Sequence, residues 1–507
     1  MGHLDVVIIK PSKYGLNGFV DRFRKGFFPN ATLPYMKSIT PQSIAGVTVR
    51  VVTIDEYVQT DLKYLEQLKS NDGQKLIALV GVQSHQFHRA VDLAGFARDH
   101  GSNVVIGGPH PMTCDTSMLQ NKGVAFAQAE AEIIWESILV DATIGELKPV
   151  YGSEQRWARS LEAPPLIPPS RTDIKRYMMS MLGVYPARGC PFTCNFCSVI
   201  KIAGRSIRSE SISVTLETLR RAKDSGIKNI LFTSDNFNKF PDAPELLRAM
   251  IEEKINLPFF VQCDTQIGKQ EELVELMARA GCFQIFLGVE SFDRKTLLGA
   301  HKGQNHPEVY RNIVKMCEKN GILSHFSNII GFPGQSRDQI LDHVKILNDL
   351  SPDIASFYIL TPIPGTDQYA EFMKSGVLNK PNLDRFDTTC SVWKHDVLPP
   401  EEIENLLYEC YKKFYSVRNI GRKLLRKTNG GLLFRLGLPI YANWSARMRT
   451  HPMSGGIGRV RLDSASEYLT RRKERFGFEL FPLPNNLELS ESDRELNSRV
   501  KLEKVVV

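Results

Sequence analysis

Short runs of β-branched and aliphatic residues alternate with amphipathic stretches through most of the chain. Asp5 to Ile9 (DVVII), Val47 to Ile54 (VTVRVVTI), Leu76 to Val82 (LIALVGV) and Val104 to Ile106 have the length and continuity of buried strands. Turn residues stop each run: Pro11 to Gly15, Asp55-Glu56, Gln83-Ser84-His85 and Gly107-Gly108-Pro109. Between the third and fourth runs, His88 to His100 places Ala90, Val91, Leu93, Ala94 and Phe96 at helical spacing. This alternation predicts an α/β domain over residues 1–146 with a parallel, doubly wound, Rossmann-like sheet. Ligands of such sheets sit beyond the carboxyl ends of the strands. Here those ends carry Lys10 to Gly15, Asp55-Glu56, Gln83 to His85 and Gly107 to His110.

Residues 147–176 are rich in proline and lack periodicity, so they read as a linker. A second alternating region follows over 177–370. Its strand candidates are Val184–Ala187, Asn229–Thr233, Phe259–Gln262, Gln284–Val289, Ser327–Ile330 and Ser356–Leu360, with helical stretches between them. Six βα repeats predict a partial or full β/α barrel. Residues 371–507 read as mainly helical and basic, with 14 Lys/Arg between Arg418 and Arg475.

Composition adds limits. Of 507 residues, 42% are hydrophobic and 24% charged, which excludes disorder, collagen and coiled coil as the main architecture. A net charge of +8 is mild for this length and does not call for nucleic acid. No apolar run approaches the ~20 residues that span a bilayer, and no secretory signal pattern is visible, so a cytoplasmic protein is expected. Nine cysteines are ordinary usage for a reducing compartment rather than a disulfide scaffold.

The position of three of them changes the picture. Cys190, Cys194 and Cys197 fall at C-x3-C-x2-C directly after a candidate barrel strand. A structural zinc site wants four ligands, usually as two pairs, and no second C-x2-C pair occurs. Three soft thiolates suit an iron–sulfur cluster with one iron left open to bind a substrate.

This segment, with the aromatic Phe196 before the last cysteine, resembles the radical S-adenosylmethionine (SAM) superfamily. The resemblance implies that the three thiolates hold a [4Fe-4S] cluster. SAM would chelate the fourth iron, and one electron would cleave it to methionine and a 5′-deoxyadenosyl radical. Further segments match in order: Thr233-Ser234-Asp235-Asn236-Phe237, Gly288-Val289-Glu290-Ser291, Ile330-Gly331-Phe332-Pro333-Gly334 and Thr361-Pro362-Ile363-Pro364-Gly365-Thr366. Phe196, Asp235, Asn236, Glu290, Ser291 and Gly331 are thereby implied as SAM contacts. Asp235 and Glu290 also read as helix caps after their strands.

The domain order resembles cobalamin (B12)-binding radical SAM enzymes. Gly107-Gly108-Pro109-His110 looks like their GG-x-H turn, and Ala127 to Glu132 sits where relatives read GEGE. The resemblance implies cobalamin contacts at Ser12, Ser84, His85, Gly107, Gly108 and His110. The D-x-H-x-x-G motif that supplies a lower cobalt ligand is absent.

The expected activity is reductive SAM cleavage and modification of an unactivated carbon, foremost cobalamin-dependent methyl transfer. A cyclase or rearrangement enzyme without cobalamin is the alternative, with an RNA-modifying enzyme behind it. Relatives of the last kind bind a second cluster through amino-terminal cysteines, and only Cys114 precedes Cys190. Expected partners are a small-molecule or lipid-like substrate, an electron donor of flavodoxin or ferredoxin type, and a membrane surface touched by the basic carboxy-terminal part. The catalytic residues beyond the cluster are not marked by any motif.

Overall fold

The computed structural model describes residues 2–462 except 17, 71–73, 118, 121–122, 153–155, 379–381, 425–435 and 454. Seven strands make the first sheet: β1 (His3–Lys10), β3 (Ser43–Ile44), β4 (Val47–Asp55), β5 (Lys75–Leu79), β6 (Asn103–Gly107), β7 (Ala125–Ala127) and β8 (Val150–Tyr151). Strand β2 (Arg22–Lys25) lies outside it. The order is β3-β4-β1-β5-β6-β7-β8, parallel except for the β3–β4 hairpin. Its centre, β4-β1-β5-β6-β7, has the doubly wound 2-1-3-4-5 order, whose switch point falls between β1 and β5.

The two-residue period of β1 sorts its side chains between two layers. Leu4, Val6 and Ile8 pack with Leu33 and Met36 of helix α1 (Thr32–Ile39). Val7 and Ile9 pack with Phe87, Ala90 and Leu93 of helix α2 (Phe87–Asp99). Helix α3 (Pro109–Thr113) follows β6, and α4 (Ala131–Ile144) covers the α1 face with Ile134, Trp135 and Ile138.

The second sheet has six parallel strands: β9 (Met181–Val184), β12 (Asn229–Phe232), β13 (Phe259–Cys263), β14 (Cys282–Glu290), β15 (Leu323–Ile330) and β16 (Ile354–Ile359). They follow chain order, with β9 and β16 as edges, so the barrel is partial. The short pair β10 (Ala187–Arg188) and β11 (Arg208–Ser209) brackets the cysteine segment. The first barrel strand lies three residues before its expected place, and Pro186, which lacks an N–H, separates it from β10. Strand β8 lies inside the expected linker and extends the first sheet; at two residues it leaves no periodicity to read. At the carboxy-terminal side, β17 (Ile457–Val460) returns to pair with β2.

The two sheets share apolar packing. Phe332, Leu360, Tyr369, Phe372 and Trp393, from connections beyond the barrel strands, belong to the same cluster as α2. Cys263, Cys282, Cys317, Cys390 and Cys410 are buried.

A buried ionic group pins β2 and α2 to the end of β4. Glu56 accepts from Arg22 (2.8 Å) and from Arg89 (2.6 Å), all three side chains being essentially inaccessible. Tyr64 donates to the same carboxylate at 2.5 Å. Burial would raise the Glu56 pKa, but the two guanidiniums override it and hold it down to about 2. Glu56→Gln leaves two buried charges unpaired, and a loss of about 3–5 kcal/mol is expected in urea unfolding. Because the folded pKa is depressed, the contribution is full above the ordinary carboxylate value and is lost as pH falls from about 4.5 towards 2. The gap between wild type and Glu56→Gln should therefore close over that acid range, which a series of melts at stepped pH would read.

Candidate active site

The cysteine loop begins at Gly189, whose φ is +104° and where a Cβ would lie 2.2 Å from the Ser206 carbonyl oxygen. Only glycine fits that approach. The Gly189 amide donates to Asp235 Oδ2 at 2.9 Å, so the third residue beyond β12 holds the start of the loop. Burial raises the Asp235 pKa. Next to it, Asn236 Nδ2 donates to Cys190 Sγ at 3.0 Å. Gln304 Nε2 lies 3.5 Å from Cys194 Sγ. The Cys197 amide donates to the Cys194 carbonyl at 3.2 Å, which coils the last two cysteines together. Burial raises the Cys190 thiol and pushes that of Cys197 up to about 12. Coordination to iron would remove those protons outright.

Glu290 ends β14 in a left-handed conformation (φ +62°), beside a register shift between Gly288 and Glu290. That backbone is costly for a residue with a Cβ and is held by its surroundings. Lys302 Nζ donates to Glu290 Oε1 at 2.6 Å and lies 5.7 Å from the centre of the Phe196 ring. Burial would lower the Lys302 pKa, but Glu290 and the Cys194 and Cys197 sulfurs raise it, so the ammonium stays charged beside the loop. Gly288 makes room for this pair, since a Cβ there would sit 2.7 Å from Glu290 Oε1 and 2.8 Å from Lys302 Nζ. Ser291 is fully buried and its hydroxyl accepts from the Asp293 amide, which serves the turn. Gly331 (φ +76°) donates its amide to Gln335 Oε1 at 2.8 Å.

A cleft of about 210 Å³ opens between α1, α4 and the carboxyl ends of β5, β6 and β7. Part of its wall is apolar and small, built from Ala78, Val80, Val105, Ala127 and Ala129, with Gly107 and Gly108 at the rim. Gly108 (φ +132°) cannot be replaced, because a Cβ would meet the Val82 nitrogen at 2.1 Å. Met36, Ile134, Trp135 and Ile138 add larger apolar surface, and Tyr35, Glu130, Glu132, Tyr185 and Arg188 also line the cleft. Arg188 donates to Glu132 at 2.8 Å and lies over the Tyr35 ring at 4.8 Å. Arg208 grips both oxygens of Glu130, at 2.5 and 2.9 Å. Thus β10 and β11, which frame the cysteine loop, are tied to the rim of the first sheet.

The other residues expected at this rim face elsewhere. Ser12 is buried and donates to the Asp21 carbonyl. Ser84 Oγ lies 3.0 Å from His110 Nδ1, and the His110 ring stacks on Phe87 with centroids 4.0 Å apart. Burial pushes His110 down to about 3. Burial, then the neighbouring Lys13, does the same for His85. None of these four lines the cleft, whereas Gly107 and Gly108 do.

Residues 184–347 match the family model of the radical SAM superfamily. Residues 184–347 are a radical SAM domain. The chain is 26% identical over 341 residues to bacteriochlorophyllide d C-12(1)-methyltransferase of Chlorobaculum tepidum, covering 66% of this chain and 72% of that protein. Its fold is similar to that of TsrM, a radical SAM methyltransferase from Kitasatospora setae solved with cobalamin and a [4Fe-4S] cluster. The TM-score is 0.60 at 17% identity, over 80% of this chain and 85% of TsrM. OxsB, a cobalamin-dependent SAM radical enzyme solved with aqua-cobalamin and SAM, gives a TM-score of 0.63 at 14% identity, over 99% of this chain and 80% of OxsB.

The radical SAM domain has unspent polar groups where its cofactors would lie. Among the described residues, Ser234 Oγ and Asn195 Oδ1, neighbours of Asp235 and Cys194, are buried without a hydrogen-bond partner. Outside that domain, Glu132 Oε2 at the cleft is likewise buried without a hydrogen-bond partner. No group of three His, Cys, Asp or Glu among the described residues is arranged to hold a single metal ion. In a cluster each thiolate takes its own iron, so the three need not converge on one point. No motif in the sequence marks Lys302, Gln304 or Arg188 as part of the site. Lys302 and Gln304 flank Gly303 twelve and fourteen residues beyond Glu290, a spacing that marks nothing until the chain folds back.

Hydrogen bonds to cluster sulfurs and nearby positive charge favour the reduced cluster. Asn236→Ala and Lys302→Met are therefore each expected to move the midpoint of the reconstituted cluster to more negative potential, read by potentiometric EPR titration.

Proposed function

We propose that the protein is a cobalamin-dependent radical SAM methyltransferase acting on an unactivated carbon of a small molecule. The observation that carries this reading is the joining of the cysteine loop to an apolar cleft through Arg188, Arg208, Glu130 and Glu132. Cys190, Cys194 and Cys197 would hold the cluster. Asn236 steadies Cys190, and Lys302 keeps positive charge beside Cys194 and Cys197. Ser234 and Asn195 would spend their free polar atoms on the amino-acid and nucleoside parts of SAM, and Gly331 would let the backbone approach closely. The cluster supplies the electron that cleaves SAM, and cobalamin supplies a methyl carrier. The small side chains and Gly107-Gly108 leave room for a flat apolar part of cobalamin in the cleft. His110 is held away from the cleft, its ring against Phe87 and its Nδ1 3.0 Å from Ser84 Oγ. The chain's own task at this junction is to keep the two cofactors in fixed register and to exclude water. The electron would come from a small donor of flavodoxin or ferredoxin type.

The partner reading extends to a membrane surface. No helix among the described residues is long and apolar enough to cross a membrane. The helix Leu438–Arg447 buries Ala442 and Ala446 against the barrel and leaves Ile440 and Trp444 exposed, with Met448 following at the same spacing. Arg447 and Arg449 flank this stripe in solvent. An exposed apolar stripe edged with arginine suits the face of an anionic bilayer. Part of the basic stretch expected between Arg418 and Arg475 lies outside the described residues.

Anaerobic purification with cobalamin supplied should give about four irons and one cobalt per chain. Changing Cys190, Cys194 and Cys197 together to Ala should abolish iron binding and 5′-deoxyadenosine formation. SAM cleavage retained without the three thiols refutes the reading. In liposome flotation, the protein should float with vesicles containing phosphatidylserine and sink with neutral ones, and Trp444→Glu should abolish flotation.

A further inference from the structure

The inward faces of β13 and β14 are not fully packed. On β13, Phe259, Val261 and Cys263 are buried under helices, while Phe260 and Gln262 between them retain accessible surface. On β14, Ile285 and Leu287 are buried, while Phe286 is not fully covered. In a closed barrel the inward rows meet in packed layers. Here they leave a cavity of about 200 Å³, walled by Leu231, Phe260, Gln262, Gln284, Phe286, His325 and Tyr358. Phe27, Phe28, Leu438 and Met453 close one side, and Phe28 is itself part exposed.

Two properties define what this space would accept. It has no Asp, Glu, Lys or Arg in its lining. Its one titratable imidazole, His325, is engaged on both nitrogens, by Gln284 Nε2 at 3.0 Å and Ser356 Oγ at 3.1 Å. Burial pushes His325 down to about 3, so the wall stays uncharged at neutral pH. The rings are set at steep angles: Phe286 meets His325 at 76° with centroids 4.7 Å apart, and Phe260 meets Phe283 at 66°. Such edges and faces receive a flat apolar group, with the amides of Gln262 and Gln284 available for one polar substituent. A dry apolar cavity of about 150 Å³ takes benzene, so about 200 Å³ suits a one- to two-ring group.

The inward row of β14 links the cavity to the candidate active site. Gln284 and Phe286 line the cavity, Gly288 continues their row, and beyond the register shift the Glu290 carboxylate lies on the Gly288 side, 2.7 Å from where a Gly288 Cβ would be. At about 3.3 Å per residue, Phe286 lies roughly 13 Å along the strand from Glu290. We propose that this barrel cavity binds a neutral, flat, aromatic or similarly unsaturated part of the substrate. The proposal rests on the radical SAM reading only in calling that ligand the substrate.

The test uses the reconstituted full chain with indole as the neutral probe and benzoate as a charged control of similar size. Indole is expected to bind saturably in equilibrium dialysis, and benzoate is not. Phe286→Glu, which sets a carboxylate in the wall, should weaken indole binding by about tenfold or more. Should that variant fail to fold, Gln262→Glu is nearly isosteric and should weaken binding several-fold. Absence of saturable indole binding, equal binding of benzoate, or unchanged affinity in a folded variant overturns the proposal. The same wild-type preparation is assayed for 5′-deoxyadenosine. Indole binding without SAM cleavage sinks the radical SAM reading and spares the cavity, whereas SAM cleavage without indole binding does the reverse.

Discussion

The interaction on which the arrangement turns is the grip of two carboxylates on two guanidiniums at the seam between the sheets. Glu130 and Glu132 begin α4, at the carboxyl edge of the first sheet. Arg188 and Arg208 stand opposite each other in the β10–β11 pair, at the two ends of the cysteine loop. All four side chains are largely withdrawn from water. Charge-assisted bonds in such surroundings are stronger and more directional than surface pairs, and leaving one partner unpaired is costly. The loop therefore cannot move without disturbing the rim of the cleft. The proposed methyl transfer needs that constraint, because a small misplacement of the reacting groups costs much of the rate.

The second constraint is local strain. Glu290 holds a left-handed backbone that a residue with a side chain adopts only under compulsion. Compulsion comes from Lys302, which bonds the carboxylate, and from Asn305, whose amide donates to the Gly288 and Val289 carbonyls at 2.8 and 2.9 Å. Gly288, Glu290, Lys302 and Asn305 thus form one unit at the end of β14. The unit holds an ammonium beside the thiols of Cys194 and Cys197. Its parts are ordinary in isolation, and the strain is stable only because each closes on the next.

What the sequence discloses and what it hides divide along contact distance. The cysteine triplet is legible because three ligands within eight residues need no fold to bring them together. The parallel sheets are legible because strands buried on both faces read as continuous apolar runs, as in DVVII and LIALVGV. The Arg188–Glu132 pair is illegible, since 56 residues separate its members and neither spacing nor composition joins them. Lys302 is hidden for the same reason. At His110 the motif is legible only as far as the backbone. Its GG-x-H turn places it at a strand end, yet the ring tilts back onto Phe87, where burial stabilises the neutral imidazole. A motif fixes the backbone of such a turn, and packing decides which way the side chain leaves it.

The barrel interior follows from the same logic carried along a strand. At the upper end of β14, the inward row ends in Glu290, paired with a lysine beside the thiols. Two pleats lower it becomes Phe286 and Gln284, with no formal charge among the cavity's lining. One strand serves both layers, because Ile285, Leu287 and Val289 join the buried apolar cluster while Gln284 and Phe286 between them line the cavity. Charge is concentrated where cofactors are to be held, and it is withheld where an apolar group is to be received. Mixing the two would leave either a buried charge without a partner or an apolar ligand against a desolvated ion, and both cost more than a buried contact returns.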